Sequence, residues 1–127
     1  MSEALTKGIR VATQSFYVPE QSKPADRHFF FAYRIRISNE GDEPAQLINR
    51  HWIITDRLGR AEEVRGEGVV GKQPRLEPGE HFEYTSACPL ATPTGTMRGT
   101  YSMLRDDGTE FEARIPDFDL IAKVILN

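Results

Sequence analysis

The chain has one cysteine, one tryptophan, no excess of basic residues and no long apolar run. Cys88 has no partner for an internal disulfide, which agrees with a reducing compartment and excludes a cysteine-rich zinc site. A membrane span needs about 18 apolar residues, and the densest stretches, Phe29 to Tyr33 and Leu120 to Leu126, fall well short, the second being broken by Lys123. No membrane insertion is expected. The opening Met1-Ser2-Glu3-Ala4-Leu5-Thr6-Lys7 carries an early acid and no apolar core of a secretory signal, so the expected address is cytoplasmic. Lys and Arg number 16 against 19 Asp and Glu, a net charge of −3, so nonspecific nucleic-acid binding is not expected.

What remains is an ordinary globular composition, 39% hydrophobic and 28% charged over 127 residues. One domain over residues 1–127 is expected, large enough to build a core without disulfide, metal or other cofactor.

The period of the hydrophobic pattern is two. Phe29, Phe31, Tyr33, Ile35 and Ile37 alternate with Ala32, Arg34, Arg36 and Ser38, Phe30 being the one apolar exception. Shorter alternations occur at Ile9-Val11, Phe82-Tyr84-Ser86, Met97-Gly99-Tyr101-Met103 and Phe111-Ala113-Ile115. Turn chemistry bounds them: Asn39-Glu40-Gly41-Asp42, Asp56-Arg57-Leu58-Gly59, Pro78-Gly79 and Asp106-Asp107-Gly108. Outside the extreme C-terminus no window has helical apolar spacing free of Gly or Pro. The pattern predicts an all-β fold, a two-sheet antiparallel sandwich of about seven strands near 8–17, 29–39, 46–55, 60–66, 81–88, 97–105 and 109–116. Polar loops are expected at 19–27 and 72–80. Trp52, in the third strand, sits where immunoglobulin-like sandwiches bury a tryptophan, and the lack of paired cysteines favours the fibronectin type III variety.

Gly66-Glu67-Gly68-Val69-Val70-Gly71 has the G-x-G-x-x-G spacing of pyrophosphate-binding loops. That chemistry needs a helix opening at the glycines, and Pro74 and Pro78 follow too soon for one. Two readings stay open: a glycine loop joining strands, and a non-helical anion site formed by Arg65, Gly66, Gly68, Gly71 and Lys72. His28, His51 and His81 lie on separate elements without metal-ligand spacing. Asp106-Asp107, Glu110-Glu112 and Asp117-Asp119 are oxygen-rich pairs, but the first serves a turn and the second shares one strand face. Thr85, Ser86 and Cys88 lack the neighbourhood of a nucleophile, base and orienting acid, so no catalytic residue is assigned. Arg34 and Arg36 share a strand face that is either solvated or open to an acidic partner.

Read in order, several strings resemble the ApaG family, also called CorD. They are Asn39 and Gly41; Arg50-His51-Trp52-Ile53-Ile54-Thr55-Asp56; Gly66 through Pro74; Leu76-Glu77-Pro78-Gly79-Glu80; Phe82-Glu83-Tyr84-Thr85-Ser86; Thr92-Pro93-Thr94-Gly95-Thr96-Met97-Arg98-Gly99; and Ile115-Pro116-Asp117-Phe118. Ala87-Cys88 departs from the small pair, such as Gly-Ala, that the resemblance leads one to expect there. The resemblance implies a fibronectin type III-like sandwich and a bacterial cytoplasmic protein associated with cobalt resistance and magnesium efflux, often encoded near a diadenosine tetraphosphate hydrolase. Related domains in F-box proteins and a polymerase-delta-interacting protein imply recognition of another protein. The expected function is therefore a non-enzymatic protein-interaction module. The alternative is a binder or sensor of a phosphorylated small molecule (a nucleotide, dinucleoside polyphosphate or pyrophosphate) at the Gly66–Gly71 loop.

Overall fold

The period-two segments pair into nine strands in a computed structural model that describes residues 2–123. The strands are β1 (Ser2–Thr6), β2 (Ile9–Tyr17), β3 (Phe29–Asn39), β4 (Ala45–Asp56), β5 (Ala61–Glu67), β6 (Arg75–Leu76), β7 (His81–Leu90), β8 (Thr94–Arg105) and β9 (Glu110–Ile121). All pairings are antiparallel; one sheet has the order β1-β2-β3-β7 and the other β5-β4-β8-β9, with β6 beside β4. The two-sheet antiparallel sandwich expected from the alternation is what forms.

Several boundaries differ from expectation. β1 is an additional strand, missed because its alternation is short and sets exposed against only half-buried side chains. The 19–27 segment contains two single-turn 3-10 helices opened by Pro19 and Pro24, and the 72–80 segment contains β6. The last strand runs past Pro116 to Ile121, because a register irregularity near Pro116 leaves the ladder with β8 intact on either side. The part of the Leu120 to Leu126 stretch beyond residue 123 lies outside the described residues.

Turn residues act as their chemistry predicts. At the β8–β9 hairpin the Arg105 amide donates to Thr109 O (2.8 Å), the Gly108 amide to Arg105 O (3.0 Å), and Asp107 accepts from Thr109. At the β4–β5 turn Asp56 accepts the amides of Leu58 and Arg60. Asn39 is buried and fully used: its Nδ2 donates to Glu43 O (2.8 Å) and Leu76 O (2.9 Å), and its Oδ1 accepts the Gly41 amide. This one side chain ties β6 to the β3–β4 turn.

Inward side chains from both sheets form one core in which Trp52 is 2% exposed. Its indole lies 5.4 Å from the Tyr33 ring, 6.0 Å from Phe118 and 6.4 Å from Tyr101, all edge-on, the arrangement ring quadrupoles favour. The central pair β4–β8 approaches closely at Gly99, where an added Cβ would collide with the His51 carbonyl.

The two flanks of the sandwich differ. On one, β1 and β2 pack on β9, with Ser15 Oγ donating to Asp119 O (2.7 Å) and the Arg114 amide to Thr6 Oγ1 (3.1 Å). On the other, β7 ends one sheet and β5 ends the other, and neither pairs across the gap.

Candidate functional site

A β-bulge sets up the open flank. In β4, Ala45 and Leu47 face the core, and strict alternation would continue inward with Asn49, His51 and Ile53. The ladder with β8 slips between Leu47 and Asn49, so the inward face passes to Arg50, Trp52 and Ile54. A guanidinium is thereby delivered to the gap between the sheets.

Arg50 Nη1 donates to Glu67 O and Gly68 O, both at 2.9 Å, and among the described residues no carboxylate lies within ion-pairing distance of Arg50. Two adjoining hollows of about 340 and 280 Å³ share Arg50, Tyr33, Trp52 and Ser86 as walls. The first reaches Tyr84 and Val69 to Gly71; the second reaches Val64, Glu62 and Cys88. Beneath them the hydroxyls of Tyr84 and Tyr101 bond to each other. Burial raises the pKa of Tyr33, Tyr84 and Tyr101, partly opposed by the positive charge of Arg50, so all three phenols are protonated near neutral pH. Burial, then the Glu62 charge, raises the Cys88 thiol to about 11, which keeps it protonated and unreactive.

The glycine string is part of this wall. Gly66 pairs with Arg50 across β4–β5, and a Cβ there would lie 2.7 Å from Nη2 and 2.8 Å from Cζ, so the missing side chain gives the guanidinium its seat. Gly68 passes close to the Lys72 carbonyl, and its amide donates to Ile48 O (2.8 Å). Val69 and Lys72 exchange both backbone hydrogen bonds (2.8 and 2.9 Å) around Val70 and Gly71, which have φ of 45° and 79°. The string is thus a strand end and a tight turn, and no helix follows. Of the five candidate anion ligands, Gly66 underlies Arg50 and Gly71 lines the cleft. Arg65 stands on the outer face with His51 and Glu112, and Gly68 and Lys72 have amides bonded to backbone carbonyls.

An ApaG-domain family profile matches residues 19–105. The chain belongs to the ApaG family. A Protein ApaG of Anaeromyxobacter dehalogenans (strain 2CP-C) is 57% identical over 127 residues, all of both chains, and that of Bdellovibrio bacteriovorus is 48% identical over the same length. The crystal structure of a Bordetella pertussis protein described as ApaA is similar, with TM-score 0.87 at 57% identity, covering 89% of this chain and 92% of that one.

The other candidate groups lie apart from the cleft. His28 precedes β3, His51 faces outward on β4 with Nε2 3.4 Å from Glu63 Oε1, and His81 opens β7. Among the described residues no three His, Cys, Asp or Glu side chains converge as metal ligands would. Arg34 and Arg36 lie on the outer face of the first sheet, in a larger hollow of about 420 Å³. There most charges are already matched: Arg10 with Glu40 (2.6 Å) and Glu3 (3.3 Å), and Arg36 with Glu83 (3.6 Å), while Arg34 lies over the Phe16 ring. Among the described residues no helix is long and apolar enough to cross a membrane.

Sequence reasoning passed over Arg50 and Tyr33. The signal that pointed to Arg50 was Trp52: a buried tryptophan in β4 fixes which alternate residues share its face, and Arg50 is among them.

Proposed function

We propose that this ApaG-family chain is a non-enzymatic protein-recognition module that engages its partner through the open flank between β5 and β7. The carrying observation is the asymmetry of the sandwich. One flank is closed by side-chain to backbone bonds, while the other presents two strand edges and a cleft with an unpaired guanidinium. Unpaired edges are templates for another chain, and a cleft with a guanidinium and aromatic walls supplies specificity. The cytoplasmic association with cobalt resistance and magnesium efflux implied by the family resemblance would then act through that partner.

The test is a photo-cross-linking residue placed at exposed Thr85 on β7, or at exposed Glu112 on the outer face of the second sheet, in cells. A discrete adduct from Thr85 and none from Glu112 is expected; adducts only from Glu112 would refute the reading.

The alternative ligand, a phosphorylated small molecule at the Gly66–Gly71 loop, has one supporting feature. The amides of Val70 and Gly71 form no hydrogen bond within the described residues, and Lys72 follows them. Lys72→Glu should then abolish pyrophosphate binding and leave the fold unchanged; unaltered affinity would remove the site.

A further inference from the structure

Among the described residues no strand pairs with β5 or β7 across the open flank. β5 packs along β4, while β1 and β2 together cover β9 and the first sheet ends at β7, leaving Val64 half-buried and Glu62 exposed on the inward side of β5. The register Arg50↔Gly66, Trp52↔Val64 and Ile54↔Glu62 orders what the gap presents: a guanidinium, then Trp52 with half-buried Val64, then the Glu62 carboxylate. Arg50 and Ile54 are four residues apart, so the positive and negative ends are separated by about 13 Å of extended chain. The edges are unequal. β5 carries Glu62, Glu63, Arg65 and Glu67, the charges that discourage strand pairing, whereas Thr85 to Cys88 of β7 is uncharged and is followed by Pro89 only at its end.

Resting on the interaction reading above, we infer that an extended segment of the partner adds antiparallel to β7 as the missing strand, with a basic, an apolar and an acidic residue at i, i+2 and i+4 facing β5. The direction follows from β7 itself. Tyr84 and Ser86 lie at the Arg50 end and Cys88 at the Glu62 end, so an antiparallel segment enters beside Glu62 and leaves beside Arg50. Its basic residue therefore precedes its acidic one. Alternate side chains fill the two hollows, while β7 main-chain groups supply the ladder. An acidic side chain suits Arg50 better than a phosphate does, because Glu62 lines the hollow that Arg50 shares and opposes a multiply charged anion.

Trp52, the single tryptophan, reports on the cleft. The probes are blocked peptides titrated into the full chain and followed by Trp52 fluorescence. Thr-Lys-Thr-Val-Thr-Glu-Thr is expected to give a saturable change, and the reversed order Thr-Glu-Thr-Val-Thr-Lys-Thr to bind roughly tenfold more weakly. Glu62→Lys, at an exposed position, should weaken the first peptide about threefold and reverse its advantage over Thr-Glu-Thr-Val-Thr-Glu-Thr. Equal binding of both orders, or no effect of Glu62→Lys, would overturn the charge order. A Thr85 adduct in cells with no Trp52 response to any peptide would overturn the inference and leave the module reading standing.

Discussion

Gly66→Ala tests the seat of Arg50. The new Cβ would lie 2.7 to 2.9 Å from three guanidinium atoms, and the backbone at Gly66 does not need glycine, since its φ is not among the positive values of the chain. The flexible guanidinium moves, and the two bonds from Nη1 to Glu67 O and Gly68 O are lost. Bonds from a charged donor contribute about 1.5–3 kcal/mol each when buried; a half-exposed group regains water, so about half of that is lost. Restricting the unfolded chain returns about 0.4–1 kcal/mol. The net expectation is a loss of about 1–2 kcal/mol, or roughly 3–10 °C in Tm for a domain of this size. Urea and thermal unfolding followed by Trp52 fluorescence measure it. The cycle with Arg50→Met isolates the cause: without the guanidinium, Gly66→Ala should be neutral or stabilising, a coupling of about 1–2 kcal/mol. A Gly66→Ala chain as stable as the parent, or the same loss in both backgrounds, would refute the reasoning.

Three further outcomes are expected. Gly99→Ala drives a Cβ into the His51 carbonyl between the two central strands, where backbone must shift, so it should cost more than about 3 kcal/mol or prevent folding, as read by urea titration and soluble yield. Tyr101→Phe leaves the Tyr84 hydroxyl unmatched in a buried site and should cost about 1–2 kcal/mol, whereas the Tyr84→Phe, Tyr101→Phe double variant should lose less than the two single losses added. The folded-state pKa of Cys88 is raised to about 11 and those of the three buried tyrosines are raised as well, so the folded chain holds protons that the unfolded chain releases. Stability is then fully present below the ordinary thiol pKa and falls as pH rises toward about 11, which urea midpoints across that range will show.

The alternation at Phe29 to Ile37 and the glycine and aspartate turns made the sandwich legible, because a half-buried strand writes its period directly into the sequence. What it hid was phase. A bulge adds one residue to a ladder without any compositional mark, and the slip between Leu47 and Asn49 transfers the inward face of β4 to Arg50. β6 was hidden because its two residues are too few to show a period, and the end of β9 because Pro116 ordinarily stops a strand. The G-x-G-x-x-G string was visible, but spacing alone does not separate glycines that admit a phosphate from glycines that admit a neighbouring side chain. At Gly66 the register opposite Arg50 supplies the second explanation, and register appears only when the strands are paired.

The most direct test of the open flank as the recognition site is an amide-shift titration of the isotope-labelled chain with the Lys-Val-Glu peptide and, separately, with pyrophosphate. The account predicts saturable shifts at Thr85 to Cys88 and at Val64 with the peptide, and none centred on Gly66 to Lys72 with pyrophosphate. Saturable pyrophosphate shifts at Val70 and Gly71, with β7 unmoved by the peptide, would contradict it.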